Sequence, residues 1–173
     1  MDMRVFISYH RADTKARDHI EDLLKDNDIR CYAAPKNVDF DGKNHQYIKD
    51  TILQRMNDCE ALLCIVGKET YTRPHVDWEL HEALKGDIKT RKGILAVMLE
   101  KRGDSKNNID YATFPNRLED NEKYIVIEQY ASLQDRLREA LDKALNNSRN
   151  RNIPVNNRRK PMPLRQEKYF DAN

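Results

Sequence analysis

The sequence predicts a doubly wound α/β domain on a five-stranded, mainly parallel sheet. Two observations carry that prediction. Five short, mostly apolar runs recur along the chain. Between most of them lie polar segments whose apolar positions fall at helical spacing. Strands alternating with helices of about 10–15 residues imply right-handed crossovers and parallel pairing.

The first run, "RVFISY" over 4–9, is apolar enough for a buried strand. "DTKARDHIEDLLKDNDI" follows, with Ala16, Ile20, Leu23 and Leu24 on one helical face and Asp13 placed as its N-cap. "RCYAA" (30–34) is a second short strand closed by Pro35, and "PKNVDFDGKN" is a polar loop punctuated by Gly42. In "HQYIKDTILQRMND", Ile48, Ile52 and Met56 share a face. "EALLCIVG" (60–67) is the most apolar run and therefore a central strand. Pro74 suits the first turn of the next helix, which carries Val76 to Leu84 and ends near Gly86. "GILAVMLE" (93–100) and "YIVIEQY" (124–130) complete the strands, with a long polar connection over 101–123. Ser132 with Asp135 has the spacing of a capping box and opens a last helix through Leu133, Leu137, Leu141 and Leu145. This order amounts to a flavodoxin-like three-layer sandwich over residues 1–146. Residues 147–173 form a basic, Pro-interrupted extension, either disordered or draped over the domain.

At 173 residues the chain is large enough for one self-sufficient core. The hydrophobic fraction is 39% and the charged fraction 35%, which implies a compact core under a heavily charged surface. No apolar run approaches the ~20 residues of a membrane helix, and "MDMRVFISYH" lacks signal-peptide architecture. Cys31, Cys59 and Cys64 have neither pairing arithmetic nor metal-ligand spacing. These features predict a reduced, cytoplasmic protein with no membrane partner. Residues 147–173 hold seven Lys/Arg against two Asp/Glu, a net +5 that leaves −3 for the rest. With no aromatic-interleaved basic patch, a solvated extension is expected and a nucleic-acid partner is not.

In doubly wound sheets the site lies at the carboxyl ends of the strands, near the switch in strand order. Several chemistries fail there. The third strand ends Ile65-Val66-Gly67, without the aspartate of a phosphorylated receiver, and no Gly-rich loop ends in Gly-Lys-Ser/Thr. There is no Gly-x-Ser-x-Gly elbow, and the five histidines form no metal signature. What remains is "SYHRAD" after strand one, "APKNVDFDGKN" after strand two and "TRPHVDWELHEAL" after strand three. Wound at about 100° per residue, the last puts Val76, Leu80, Ala83 and Leu84 in one stripe. Glu79 falls on its border and Trp78, the only tryptophan, on roughly the opposite face. Phase alone favours reading Glu79 as a partly solvated helix glutamate, in an i,i+4 pair or in none.

"VFISYHRAD", a short strand, a loop closing on "DGKN", the "ALLCIVG" strand and "Y-x(4)-VDWEL", in that order, resemble a Toll/interleukin-1 receptor (TIR) domain over roughly residues 3–145. The similarity is nearest to bacterial TIR-like proteins such as the signal-making subunit of Thoeris antiphage systems. Enzymatic TIR domains cleave NAD⁺ between ribose and nicotinamide with one glutamate on the helix after strand three, so the resemblance implies Glu79 as the catalytic residue. It implies substrate contacts from Ser8, Tyr9, His10 and Arg11 after strand one. Tyr9 reads equally as a strand-end core residue. The resemblance implies another wall from the Asp39–His45 loop. Where many active members carry an aromatic after its glycine, this chain has Asn44, with Phe40 and His45 close by. His75 stands where many carry Trp, four residues before the glutamate, and Trp78 is expected to pack under a neighbouring loop or to meet another subunit.

The implied activity is NAD⁺ consumption, NAD⁺ being the substrate, with no cofactor and no metal. The implied product is an ADP-ribose-derived, cyclic signal for antiphage defence, read by a separate effector. Self-association for activity and a phage component as trigger complete the expected partners. Two other readings stay open: a non-catalytic TIR assembly module using the Asp39–Asn44 loop, and a nucleoside deoxyribosyltransferase-like enzyme that would also use the carboxylate.

Overall fold

The computed structural model describes residues 3–34 and 45–163. Five strands, β1 (Arg4–Ser8), β2 (Arg30–Ala33), β3 (Ala61–Val66), β4 (Gly93–Met98) and β5 (Val126–Gln129), form one sheet in the order β2-β1-β3-β4-β5. Every neighbouring pair runs parallel. The strand order reverses between β1 and β3, so the crevice that such sheets use for ligands opens at the ends of these two strands. There Ser8 stands beside Cys64. β3 and β4 are buried at every position, as strands covered on both faces must be.

Strand alternation divides the core. Val5, Ile7, Leu63, Leu95 and Val97 face helices α1 (Thr14–Asp26) and α5 (Leu133–Arg149), meeting Ile20, Leu24, Leu137 and Leu141. Phe6, Leu62, Cys64, Ile94 and Ala96 face the other way, toward α2 (His45–Asn57) and α3 (Pro74–Ala83). The long connection after β4 holds two single 3-10 turns, Glu100–Arg102 and Tyr111–Thr113, and the four-residue α4 (Asn116–Glu119). Arg102 pins it, donating to Asp104 at 2.6 Å, to the Thr113 carbonyl at 2.7 Å and to the Gly67 carbonyl at 3.3 Å.

Both capping expectations are corrected. Ser132 occupies the N-cap of α5, but its hydroxyl donates to the Gln129 carbonyl at 3.1 Å and does not cap the helix. Asp13 occupies the N-cap of α1 and likewise makes no side-chain cap. A competing partner claims each oxygen: a turn carbonyl for Ser132, and for Asp13 an ion pair with Lys101. Trp78 is only 7% exposed although it points away from the sheet-facing stripe. The side chain of Lys49 on α2 lies over its ring, 5.9 Å from the centroid.

After α5 the chain returns along the outside of α3 and α4. Asn156 exchanges two 2.8 Å bonds with the Asn121 side chain, and Arg159 pairs with Asp120 at 2.7 Å. Ile153 and Val155 pack against the core on the α3 side.

Candidate active site

The helix that carries Glu79 begins where β3 ends. Thr70 secures the turn: its hydroxyl accepts from the Gly67 amide at 2.8 Å and donates to the Ile65 carbonyl at 3.3 Å. Arg73 enters α3 in extended conformation, and Pro74 takes the first turn, where a missing N–H costs nothing. Val76, Leu80 and Ala83 then dock on the sheet, each 0–1% exposed. Burying each of the larger two stabilises the contact by about 1.5–3 kcal/mol.

That docking turns Glu79 toward the end of β1. Its side chain is 2% exposed, and the Ser8 hydroxyl donates to its carboxylate across a short contact. Ser8 faces α3 because it shares parity with Phe6 on the strand. Desolvation pushes the Glu79 carboxyl up to about 8, and the Ser8 bond opposes this in part. The group therefore holds a proton through neutral pH. Cys64 forms the adjoining floor. Burial first, then the Glu79 and Asp13 charges, drive its thiol far above the usual range, so it is no nucleophile.

The other residues expected at the site separate into two layers. His75, half-buried, donates from Nε2 to the Tyr9 carbonyl at 3.2 Å, which joins the start of α3 to the end of β1. Burial drops its imidazole to about 4, so it is neutral at physiological pH. Tyr9 contributes that carbonyl, whereas its ring packs against the core on the α1 side with the Arg17 guanidinium 5.3 Å from its centroid. His10 is half-buried; burial and then the Arg73 charge hold its imidazole below the usual range. Arg11 is exposed and opens a short turn over Arg11–Asp13. Phe40 and Asn44 lie outside the described residues, and His45 begins α2.

Three further residues at this end were missed by sequence reasoning. Asp13 is 3% exposed and sits over Gly67 at the end of β3, where a Cβ would fall 2.3 Å from its Oδ2. Lys101, after β4, pairs with it. Arg73 pairs with Glu69 at 2.6 Å. The charges of Arg73, Asp13, Glu69 and Lys101 all act on His10, which gathers them about the mouth of the crevice. Gly67 was the available cue, since a glycine closing a buried strand marks close approach by another group. Among the described residues no cluster of three or more His, Cys, Asp or Glu could hold a metal ion. No described helix is long and apolar enough to cross a membrane.

Comparisons with known proteins add the family. The TIR domains in "Structure of the activated Roq1 resistosome directly recognizing the pathogen effector XopQ (TIR domains)" align with a TM-score of 0.47 at 16% identity, over 89% of this chain and 86% of that one. No curated protein matches the chain. The family described as "Thoeris protein ThsB, TIR-like domain" matches residues 6–104, more than half of the sequence and a span that holds Ser8, His75 and Glu79. The chain belongs to that family, the TIR-like domains of the Thoeris protein ThsB.

Proposed function

We propose that the chain is an NAD⁺-consuming enzyme that cleaves the bond between nicotinamide and ribose and makes an ADP-ribose-derived signal, a cyclic one, in antiphage defence. The observation that carries this reading is the buried Glu79 carboxyl, held by Ser8 at the switch point of the sheet.

The chemistry needs little more. The nicotinamide of NAD⁺ is a cationic leaving group and departs neutral, taking the electron pair of the C–N bond, so no general acid is required. The barrier is the positive charge that grows on the ribose as an oxocarbenium-like centre. A carboxylate already desolvated and fixed stabilises that charge far better than one in water. Entry of the cationic ring favours ionisation of Glu79, so the charge it needs is generated by the substrate itself. The neutral His75 beside the crevice adds no repulsion. His10, Arg73 and Lys101 at its mouth suit the anionic diphosphate. Water attacking the oxocarbenium gives ADP-ribose and a proton; an adenine nitrogen or a hydroxyl of the same molecule gives a cyclic isomer and a proton.

A diffusible product implies a separate effector that reads it, and a phage component as trigger fits the family's setting in Thoeris defence. Self-association for activity completes the proposal, as the resemblance to TIR domains implies. The test is mass-resolved chromatography of NAD⁺ incubated with the protein at low and high concentration, with and without lysate of phage-infected cells. Nicotinamide release with a partner product supports the enzyme, and that product's mass separates hydrolysis from cyclisation. Base exchange on nucleosides with intact NAD⁺ would move the assignment to a deoxyribosyltransferase. Silence under every condition would leave an assembly module.

A further inference from the structure

We propose that the segment after α5, residues 150–163, braces α3 from behind, and that Asp77, Arg117 and Asn157 are positioning residues that fix Glu79 against Ser8. The inference rests on the reading of Glu79 as the catalytic residue.

At about 100° per residue, Asp77 and Glu79 lie some 200° apart around α3, and both are buried, at 7% and 2% exposure. Glu79 meets the sheet edge. Asp77 meets Arg117 of α4, a guanidinium with no exposed surface, through Nε at 2.9 Å and Nη2 at 3.2 Å. The returning segment completes that pair. The Met162 amide donates to Asp77 at 2.8 Å. Arg117 Nη1 donates to the Asn157 side chain at 2.8 Å and to the Arg159 carbonyl at 3.0 Å.

Asn157 is the hinge of this network because it also reaches α3 directly. Its amide nitrogen donates to the His81 carbonyl at 2.9 Å, satisfying one of the orphan carbonyls of the helix C-terminus. Its oxygen, already accepting from Arg117, accepts from His81 Nδ1 at 3.1 Å. A helix of ten residues is marginal alone, so its rotation and depth are set by what it touches. Val76, Leu80 and Ala83 are greasy contacts that tolerate sliding. The Asp77–Arg117–Asn157 bonds are directional and do not, so they fix the rotation that presents Glu79 to Ser8.

The test uses the full chain with Asn157→Ala, and Arg159→Ala as the comparison, because the Arg159 side chain hydrogen-bonds Asp120 at the exposed rim and not the buried Asp77–Arg117 pair. Trp78, the only tryptophan, lies on α3 and reports its packing by emission, independently of any reaction. Asn157→Ala is expected to raise hydrogen exchange of the α3 amides and shift Trp78 emission to the red. It is also expected to lower kcat for NAD⁺ about tenfold or more while KM changes less than about twofold. Arg159→Ala leaves all three as they were. Asn157→Asp keeps the oxygen for Arg117 and loses the donor to His81, so it falls between; it also serves if the alanine variant does not fold. Unchanged α3 exchange in these variants, or a loosened α3 with full kcat, overturns the proposal. Should the wild type leave NAD⁺ intact, the catalytic reading falls separately, and the exchange and Trp78 readouts still decide whether the segment braces the helix.

Discussion

Asp77 and Glu79 stand two residues apart on α3 and point to opposite sides of it, Asp77 into the Arg117 fork and Glu79 onto Ser8. One carboxylate is paired with a buried cation; the other is buried with only a hydroxyl donor. The first holds the helix, and the second is left with a raised proton affinity that the Ser8 bond relieves only in part.

Glu79 should therefore cost stability in a pH-dependent way. Its folded value, about 8, lies above the ordinary 4.5. Below the ordinary value both states keep the proton and nothing is lost. As pH rises toward 8 the unfolded chain ionises first, so stability falls across that window. Glu79→Gln removes the penalty. The variant should match the wild type near pH 4.5 and exceed it by a few kcal/mol near pH 8, measured by urea unfolding at both values. Comparing the two proteins cancels the opposite contribution of His75, whose lowered value destabilises the fold toward acid.

The same group should shape the rate. kcat/KM reports the free enzyme, so it should climb with pH through about 8 as Glu79 ionises. Ser8→Ala removes the one bond that favours the ionised form, and the rising limb should move to higher pH with a lower plateau. A profile unmoved by Ser8→Ala would detach Ser8 from the chemistry.

Arg117→Ala leaves Asp77 buried without its cation and should cost about 3–5 kcal/mol. Replacing both, with Asp77→Leu and Arg117→Met, should cost less than Arg117→Ala alone, because no orphan charge remains. Chemical denaturation of the single and the double variant beside the wild type decides this.

Gly93→Ala tests the rear of the sheet. A Cβ there would lie 2.7 Å from the Ala144 backbone of α5, so the helix must move. The expected loss is about 1–3 kcal/mol or more, seen as a lowered Tm, with the pH dependence of Glu79 unchanged.

The alternation of apolar runs and helical periodicities made the sheet, its parallel sense and the principal helices legible, because burial on both faces writes itself into composition. Strand five was read two residues too long at its start: Tyr124 and Ile125 are buried but precede the ladder. At the site, helical phase put Glu79 on the border of the apolar stripe, and it does sit between core and strand end. Trp78 was harder, since a one-dimensional pattern shows a helix's sheet-facing side and not what covers its back. Asp77 was invisible for the same reason, as its partners lie 40 and 85 residues away. Asp13 misled by occupying a cap position while its oxygens serve Lys101.

The central claim is that the Glu79 carboxylate drives departure of nicotinamide. Nicotinamide released from NAD⁺ by wild type and by Glu79→Gln, at equal concentration and pH 8, tests it most directly. Release by the wild type and a loss of about 10²–10³-fold or more in the variant are expected. A glutamine variant that releases nicotinamide at the wild-type rate would contradict it.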